Sequence, residues 1–300
     1  MKTLSLSRRK QKIVAFFRGD VPVMLAVVFL GLVFVLAVGA DILAPYSPTR
    51  VNLGLRNLPP LSQSGEGLPH LLGTDPVGRD IATRLMYGAR VSLFIGFSTV
   101  AIASVIGVTV GIVAGYKGGW IDQLLMRTVD VLLGIPGLLA ALFVLFVIGP
   151  GMRNLIVVLA ALRWTVYARL TRGMVLSLRE EAFVRGAIAI GASDLRIMRR
   201  HILPNVMSPL IVLATLEVGI MILAEAGLSF LGFGIQQPDA SWGLEVSAGR
   251  EYIASAWWLV TMPGLAIMLT VLSLNILASS LRDTLDPLHR WRWSADQPGG

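Results

Sequence analysis

The sequence predicts an all-α, polytopic membrane protein with six transmembrane helices, and three observations carry that prediction. Of its 300 residues 55% are hydrophobic and only 15% are charged, where soluble domains carry about 25% charged residues. The apolar residues gather in runs of roughly 20, the length a helix needs to cross a bilayer. The net charge of +8, from 26 Lys and Arg against 18 Asp and Glu, is concentrated in alternate connections between those runs. A mean hydropathy of +0.72 excludes disorder, and leaves a water-soluble enzyme of this length too little polar surface. The chain has no Cys, so disulfides, thiolate metal sites and thiol nucleophiles are excluded.

Residues 1–20 form a basic tail (Lys2, Arg8, Arg9, Lys10, Lys12, Arg18) ahead of the first transmembrane helix, placed at 21–43, whose stretch Val21 to Ala40 is uncharged. That run is longer than the roughly 7 to 15 residues of a signal-peptide core, and Asp41-Ile42-Leu43-Ala44-Pro45 makes a poor cleavage site, so an uncleaved helix is expected. The outer loop 44–91 begins with Pro45, Pro48, Pro59, Pro60, Gly65 and Gly67 and reads as irregular. Towards its end Ile81, Ala82, Leu85 and Ala89 recur at helical spacing. They predict a short amphipathic helix at the outer interface, feeding straight into the second span.

Residues 92–280 make up the core, with five further spans at Val91 to Ala114, Val129 to Ile148, Leu155 to Ala168, Val206 to Leu231 and Ala256 to Ala278. The third contains Pro136, and Asp130, expected to cap a helix or meet Arg127. The fourth is the weakest, because Arg163 interrupts it and an intramembrane Arg is expensive. Lys and Arg accumulate on the cytoplasmic side of membrane proteins, which decides between six spans and five. With six spans and a cytoplasmic start, eighteen of the 26 basic residues lie inside and seven outside, with Arg163 in the fourth span. Five spans would put the Arg-rich stretch after residue 168 outside. Both termini are therefore expected in the cytoplasm, and the charge marks topology in a lipid bilayer rather than a nucleic-acid surface.

Gly107, Gly111 and Gly115 share one face of the second span, where small residues let helix backbones approach closely; packing within the chain is the expectation, a subunit interface the alternative. Trp257 and Trp258 open the sixth span, where indoles anchor at the interface.

The inner loop 173–205 is the most organised connection. The stretch Arg179 to Asn205 reads as a helix, a break at Gly191, a second helix with Ser193 as a plausible N-cap, and a stop at Pro204. Two short helices joined at a glycine form a rigid protrusion that a soluble partner could grip. This stretch resembles the cytoplasmic motif of binding-protein-dependent ABC importer permeases, in which Glu-Ala-Ala, three residues, Gly, nine residues, Ile, one residue and Leu-Pro docks into the ATPase. By spacing, Gly191 matches the motif glycine, Leu203 and Pro204 match its end, and Ala187 is retained. Arg185 stands for the Glu, Gly186 for the first Ala and His201 for the Ile.

Four other segments resemble the peptide and nickel branch of that family: Leu72 to Asp80 with Gly88 to Leu93, Met126 to Asp130 with Pro136, Leu228 to Gly232 with Ser241 to Gly243, and Leu281 to Pro287. The resemblance covers about residues 21–288 and implies a type I ABC importer permease fold, with residues 281–300 as a second cytoplasmic tail. It implies a second, homologous permease subunit as partner, two ATP-binding cassette subunits on the cytoplasmic side and an external substrate-binding protein, in the cytoplasmic (inner) membrane of a bacterium. The implied substrates are di- or oligopeptides, with nickel or glutathione-like compounds as the alternative.

No catalytic, cofactor or metal site is expected in the chain. A phosphate-binding loop needs Gly-x-x-x-x-Gly-Lys-Ser/Thr, and Lys2, Lys10, Lys12 and Lys117 all lie outside such a context. His70, His201 and His289 are scattered without metal-ligand spacing. Glu217 and Glu225 are the translocation-path candidates: eight residues apart on the fifth span, they lie about 12 Å apart along the helix and within about 80° around it. An intramembrane carboxylate is a functional candidate by default. The competing structural reading pairs Glu217 with Arg163 and places Glu225 near the outer interface. A self-contained, proton-coupled secondary transporter would use the same carboxylates, but no inverted repeat is visible and such a machine does not need the organised loop.

Overall fold

The computed structural model describes residues 21–63 and 68–285. The tail 1–20, Gly65, Gly67, the end of the 281–287 motif and His289 lie outside the described residues. Among the described residues ten of the helices carry the fold: α1 (Val21–Val38), α2 (Ile81–Lys117), α3 (Gly119–Leu133), α4 (Gly137–Ile148), α5 (Met152–Arg179), α6 (Ala182–Ala189), α7 (Asp194–Ile197), α8 (Leu203–Phe230), α9 (Trp242–Gly249) and α10 (Trp258–Leu285). Among the described residues five helices are long and apolar enough to cross a membrane, or six if the bent pair α3–α4 counts as one span.

The long helix α2 is the centre of the bundle, packed on one side against α5 and on the other against α8, which packs on α10; α1 closes the arrangement against α10 and α2. The glycine stripe explains the α2–α5 contact. A Cβ on Gly111 would lie 2.6 Å from the Ala168 carbonyl and from Thr171 Cβ, and one on Gly115 would lie 2.8 Å from Val175 Cβ. The helices approach so closely that hydrogen is the largest substituent that fits. Much of the apolar surface of α1 and α4 is exposed, including Phe34, Val35, Phe143 and Phe146, as expected of helices that face lipid or another apolar subunit.

Four expectations change. The third span is not one helix: α3 and α4 meet at 85° across Gly134–Pro136, because Pro136 supplies no amide hydrogen and its ring crowds the preceding turn. The stretch 81–90 is not a separate interfacial helix but the first turns of the 37-residue α2, with Ile81, Ala82, Arg84, Gly88 and Ala89 all buried. At about 55 Å by its rise, α2 exceeds the roughly 30 Å hydrocarbon core. Its N-terminal turns therefore carry a cap, on the side expected to be outer, built from residues 44–63, 68–80 and 232–257, in which Asp80 caps the helix by accepting from the Thr83 amide at 2.7 Å. Trp258, unlike the exposed Trp257, is buried in that cap, its indole N–H donating to the Thr74 carbonyl at 3.4 Å. Finally, Pro204 does not stop a helix. It sits in the first turn of α8, directly after a wider π turn, Met198–Ile202, that carries α7 into α8 without a break and accommodates the missing amide.

Candidate functional site

The inner loop forms two short helices held to the bundle by one face. Val184 and Ala187 of α6, with Ile197 and Ile202 after the turn, are buried in the main core. The Gly191 backbone has φ +78°, a left-handed conformation that glycine adopts without steric penalty; it reverses the chain between α6 and α7. Ser193 occupies the N-cap position of α7 but makes no side-chain cap hydrogen bond.

The opposite face of the loop is apolar and open. Phe183, Ile188, Ile190 and Leu195 are exposed, Ile190 at 86%, and Arg185, Arg196, Arg199 and Arg200 flank them in the chain and are exposed as well. Apolar groups rimmed by charge mark an interaction surface. Gly186 is exposed beside them, His201 is half-buried with its ring 6.4 Å from that of Phe183, Leu203 is half-buried and Pro204 is exposed. Arg185, in place of an acidic residue, forms an exposed ion pair with Glu180.

Ion pairs tie this region to the bundle. Asp194 at the start of α7 accepts from Lys117 Nζ at 2.6 Å and from the Tyr116 hydroxyl at 3.0 Å, joining the loop to the inner end of α2. On α5, Arg172 makes a bidentate pair with Asp122 of α3, at 2.5 and 2.7 Å. Asp130 meets Arg169 rather than Arg127. Their partners lie 77, 50 and 39 residues apart in sequence, so no local spacing announces them.

The two carboxylates of α8 have different partners. Glu217, with its side chain only 3% exposed, holds Arg163 of α5 by two bonds of 2.6 and 2.7 Å. Glu225 is fully buried, accepting from the hydroxyls of Ser92 on α2 at 2.9 Å and Ser229 at 2.7 Å. The structure therefore does not bring the two together on one open surface. Beside the α3–α4 bend lies a cavity of about 370 Å³, lined by Leu133, Pro136, Leu159, Met221 and Arg163 among others; neither carboxylate lines it.

The outer cap contains a further pair that sequence reasoning passed over. Arg84 of α2, with no exposed side-chain surface, binds Glu245 of α9 at 2.7 Å and donates to the carbonyls of Pro48 at 2.9 Å and Asp239 at 3.2 Å. One guanidinium thus fastens three segments of the cap. Nothing in the chain around residue 84 signals this, because its partner lies 161 residues away.

Residues 107–291, which contain the inner loop and both buried carboxylates, match the model of the binding-protein-dependent transport system inner membrane component. The chain belongs to this family. It is 46% identical over 74% of its length, and 73% of the relative's, to the dipeptide transport system permease protein DppC of Alkalihalophilus pseudofirmus. It is 40% identical to the di/tripeptide transport system permease protein DppC of Pseudomonas aeruginosa, over 86% of both chains. A solved structure of the MetNI methionine ABC transporter, facing inward, matches with TM-score 0.54 at 17% identity, covering 68% of this chain and 96% of that one. The fold is accordingly that of an ABC importer permease, and the family sets it in the inner membrane.

Proposed function

We propose that this chain is the non-catalytic transmembrane subunit of an ATP-driven importer that moves di- or oligopeptides across the cytoplasmic membrane by alternating access. The observation that carries the reading is the loop with its open apolar face, rimmed by arginines, whose second half continues into α8. A soluble ATPase that grips α6 and α7 moves a lever joined directly to the helix bearing Glu217 and Glu225. ATP is hydrolysed on two partner subunits, a second, homologous permease completes the path, and an external binding protein delivers substrate. Peptides are favoured because relatives 37–46% identical bear the names of dipeptide permeases.

In this reading Arg185, Gly186, Ala187, Gly191, His201, Leu203 and Pro204 form the ATPase-coupling loop, both termini lie in the cytoplasm, and Glu217 and Glu225 flank the translocation path. The test is co-purification with ATPase subunits and ATP-dependent uptake of a labelled dipeptide by the whole importer. Uptake is lost when the ATP site of the ATPases is destroyed; uptake that survives that change, driven by a proton gradient, identifies a secondary transporter instead.

A further inference from the structure

We propose that Arg163, rather than either buried glutamate, is the group that meets substrate within the membrane, its guanidinium receiving the terminal carboxylate of the passing peptide in the cavity at the α3–α4 bend. The inference rests on the peptide-importer reading and adds to it a contact residue and the end of the substrate that it recognises.

The placement comes first. Arg163 is eleven residues into α5, which begins at Met152, so it lies about 17 Å along that helix. That is close to half the roughly 30 Å hydrocarbon thickness. A cation at this depth is retained only where it faces protein or a watery cavity. The bend between α3 and α4 provides one: irregular backbone at membrane depth is tolerated where it is covered by protein or lines a cavity, and the residues of the bend, Leu133, Ile135 and Pro136, line the same space as Arg163. At about 370 Å³, its size falls within the range of small-ligand sites.

The chemistry follows from how the ion pair is turned. Glu217 takes Nε and Nη2 of Arg163, and its own side chain is 3% exposed while that of Arg163 is 31% exposed. Nη1 has no hydrogen-bond partner among the described residues. The pair therefore hides its anion and shows its cation, and Arg163 is the one charged residue among those lining the cavity. The remaining lining is apolar, suited to the side chains of a short peptide. A guanidinium presents planar donors that match a carboxylate. Because Glu217 already pairs with it, Arg163 holds a second carboxylate more weakly than a free guanidinium would, which suits a transport path that must release what it binds.

The test uses the complete importer, with its binding protein and ATPases, during uptake of a dipeptide whose C-terminal residue is photoreactive diazirine leucine. Illumination is expected to label this chain within residues 132–138, 159–163 or 220–224. The double variant Arg163→Gln with Glu217→Gln keeps a neutral hydrogen-bonding pair in place. It should lose that label and lower uptake at least about 10-fold at equal membrane abundance, the effect of losing a charge-assisted hydrogen bond. Arg163→Lys, which keeps the cation, should retain the label. Labelling elsewhere on the chain during active uptake, or unchanged cavity labelling in the double variant, overturns the proposal. A wild-type importer that takes up no dipeptide at all refutes the peptide reading instead, a result recognisable before any variant is made.

Discussion

The Arg84 guanidinium and the Glu245 carboxylate meet at 2.7 Å with side chains 0% and 3% exposed, binding the N-terminal turns of α2 to α9 in the outer cap. Removing one partner of a buried pair leaves the other without compensation, at about 3–5 kcal/mol. Arg84→Met is therefore expected to reduce membrane abundance and thermal stability severely. Adding Glu245→Leu should recover the part of the loss that comes from the uncompensated charge, leaving the deficit of the Pro48 and Asp239 carbonyls, about 1–3 kcal/mol for each acceptor left buried. Thermal unfolding of the purified importer read by fluorescence checks this; equal stability of the single and double variants would show that the charge itself is not what matters.

Two glycines should fail in different ways when replaced. Gly191 has open space around it but a backbone at φ +78°, so Gly191→Val strains or redirects the loop by about 1–3 kcal/mol without disturbing the bundle. The expected result is normal abundance, ATP hydrolysis that no longer follows substrate, and lost uptake. Gly111→Val drives a side chain into the α5 backbone, since even its Cβ would sit 2.6 Å from the Ala168 carbonyl. This variant should fail to accumulate. The ratio of ATPase activity to uptake, alongside quantitative blotting, separates the two.

The Lys117–Asp194 pair is a finer test of the lever. Its side chains are 42% and 53% exposed, and water screens an ion pair so placed. Asp194→Asn should therefore leave abundance unchanged while reducing uptake per ATP hydrolysed, if the pair holds the loop in register. Wild-type coupling in this variant would assign the orientation of α7 to its buried residues, Ile197 above all.

The absence of Cys makes orientation directly measurable. A single cysteine at Arg196→Cys, exposed on α7, is expected to react with a membrane-impermeant maleimide only in inside-out vesicles. Arg56→Cys, in the outer loop, should react only in intact cells whose outer barrier has been opened. The opposite pattern would reverse the topology inferred from the distribution of Lys and Arg.

The legible part of the site was the part written locally. The spacing from Ala187 through Gly191 to Leu203 and Pro204 is short-range, and its helix–glycine–helix form followed from it. The pairing of Glu217 with Arg163 was open to view as an alternative, because two opposite charges on neighbouring spans have few other ways to be neutralised. What the pair exposes was not, since the direction of a guanidinium depends on the helices around it. The kink at Pro136 was visible as a residue but not as an 85° turn, and the cavity exists because of that turn.

Sequence by itself determined the class of the molecule and the close packing of the Gly107–Gly115 stripe, and set the expectation of six crossings and of their sidedness, because hydrophobic length, charge asymmetry and small-residue spacing act over one or two helices. Only the tertiary structure decided which charges meet. Arg84 with Glu245, and Glu225 with Ser92, lie 161 and 133 residues apart. In a low-dielectric interior a buried charge must find a partner wherever the fold supplies one, so these choices follow from how the helices pack and not from any residue's neighbours in the chain.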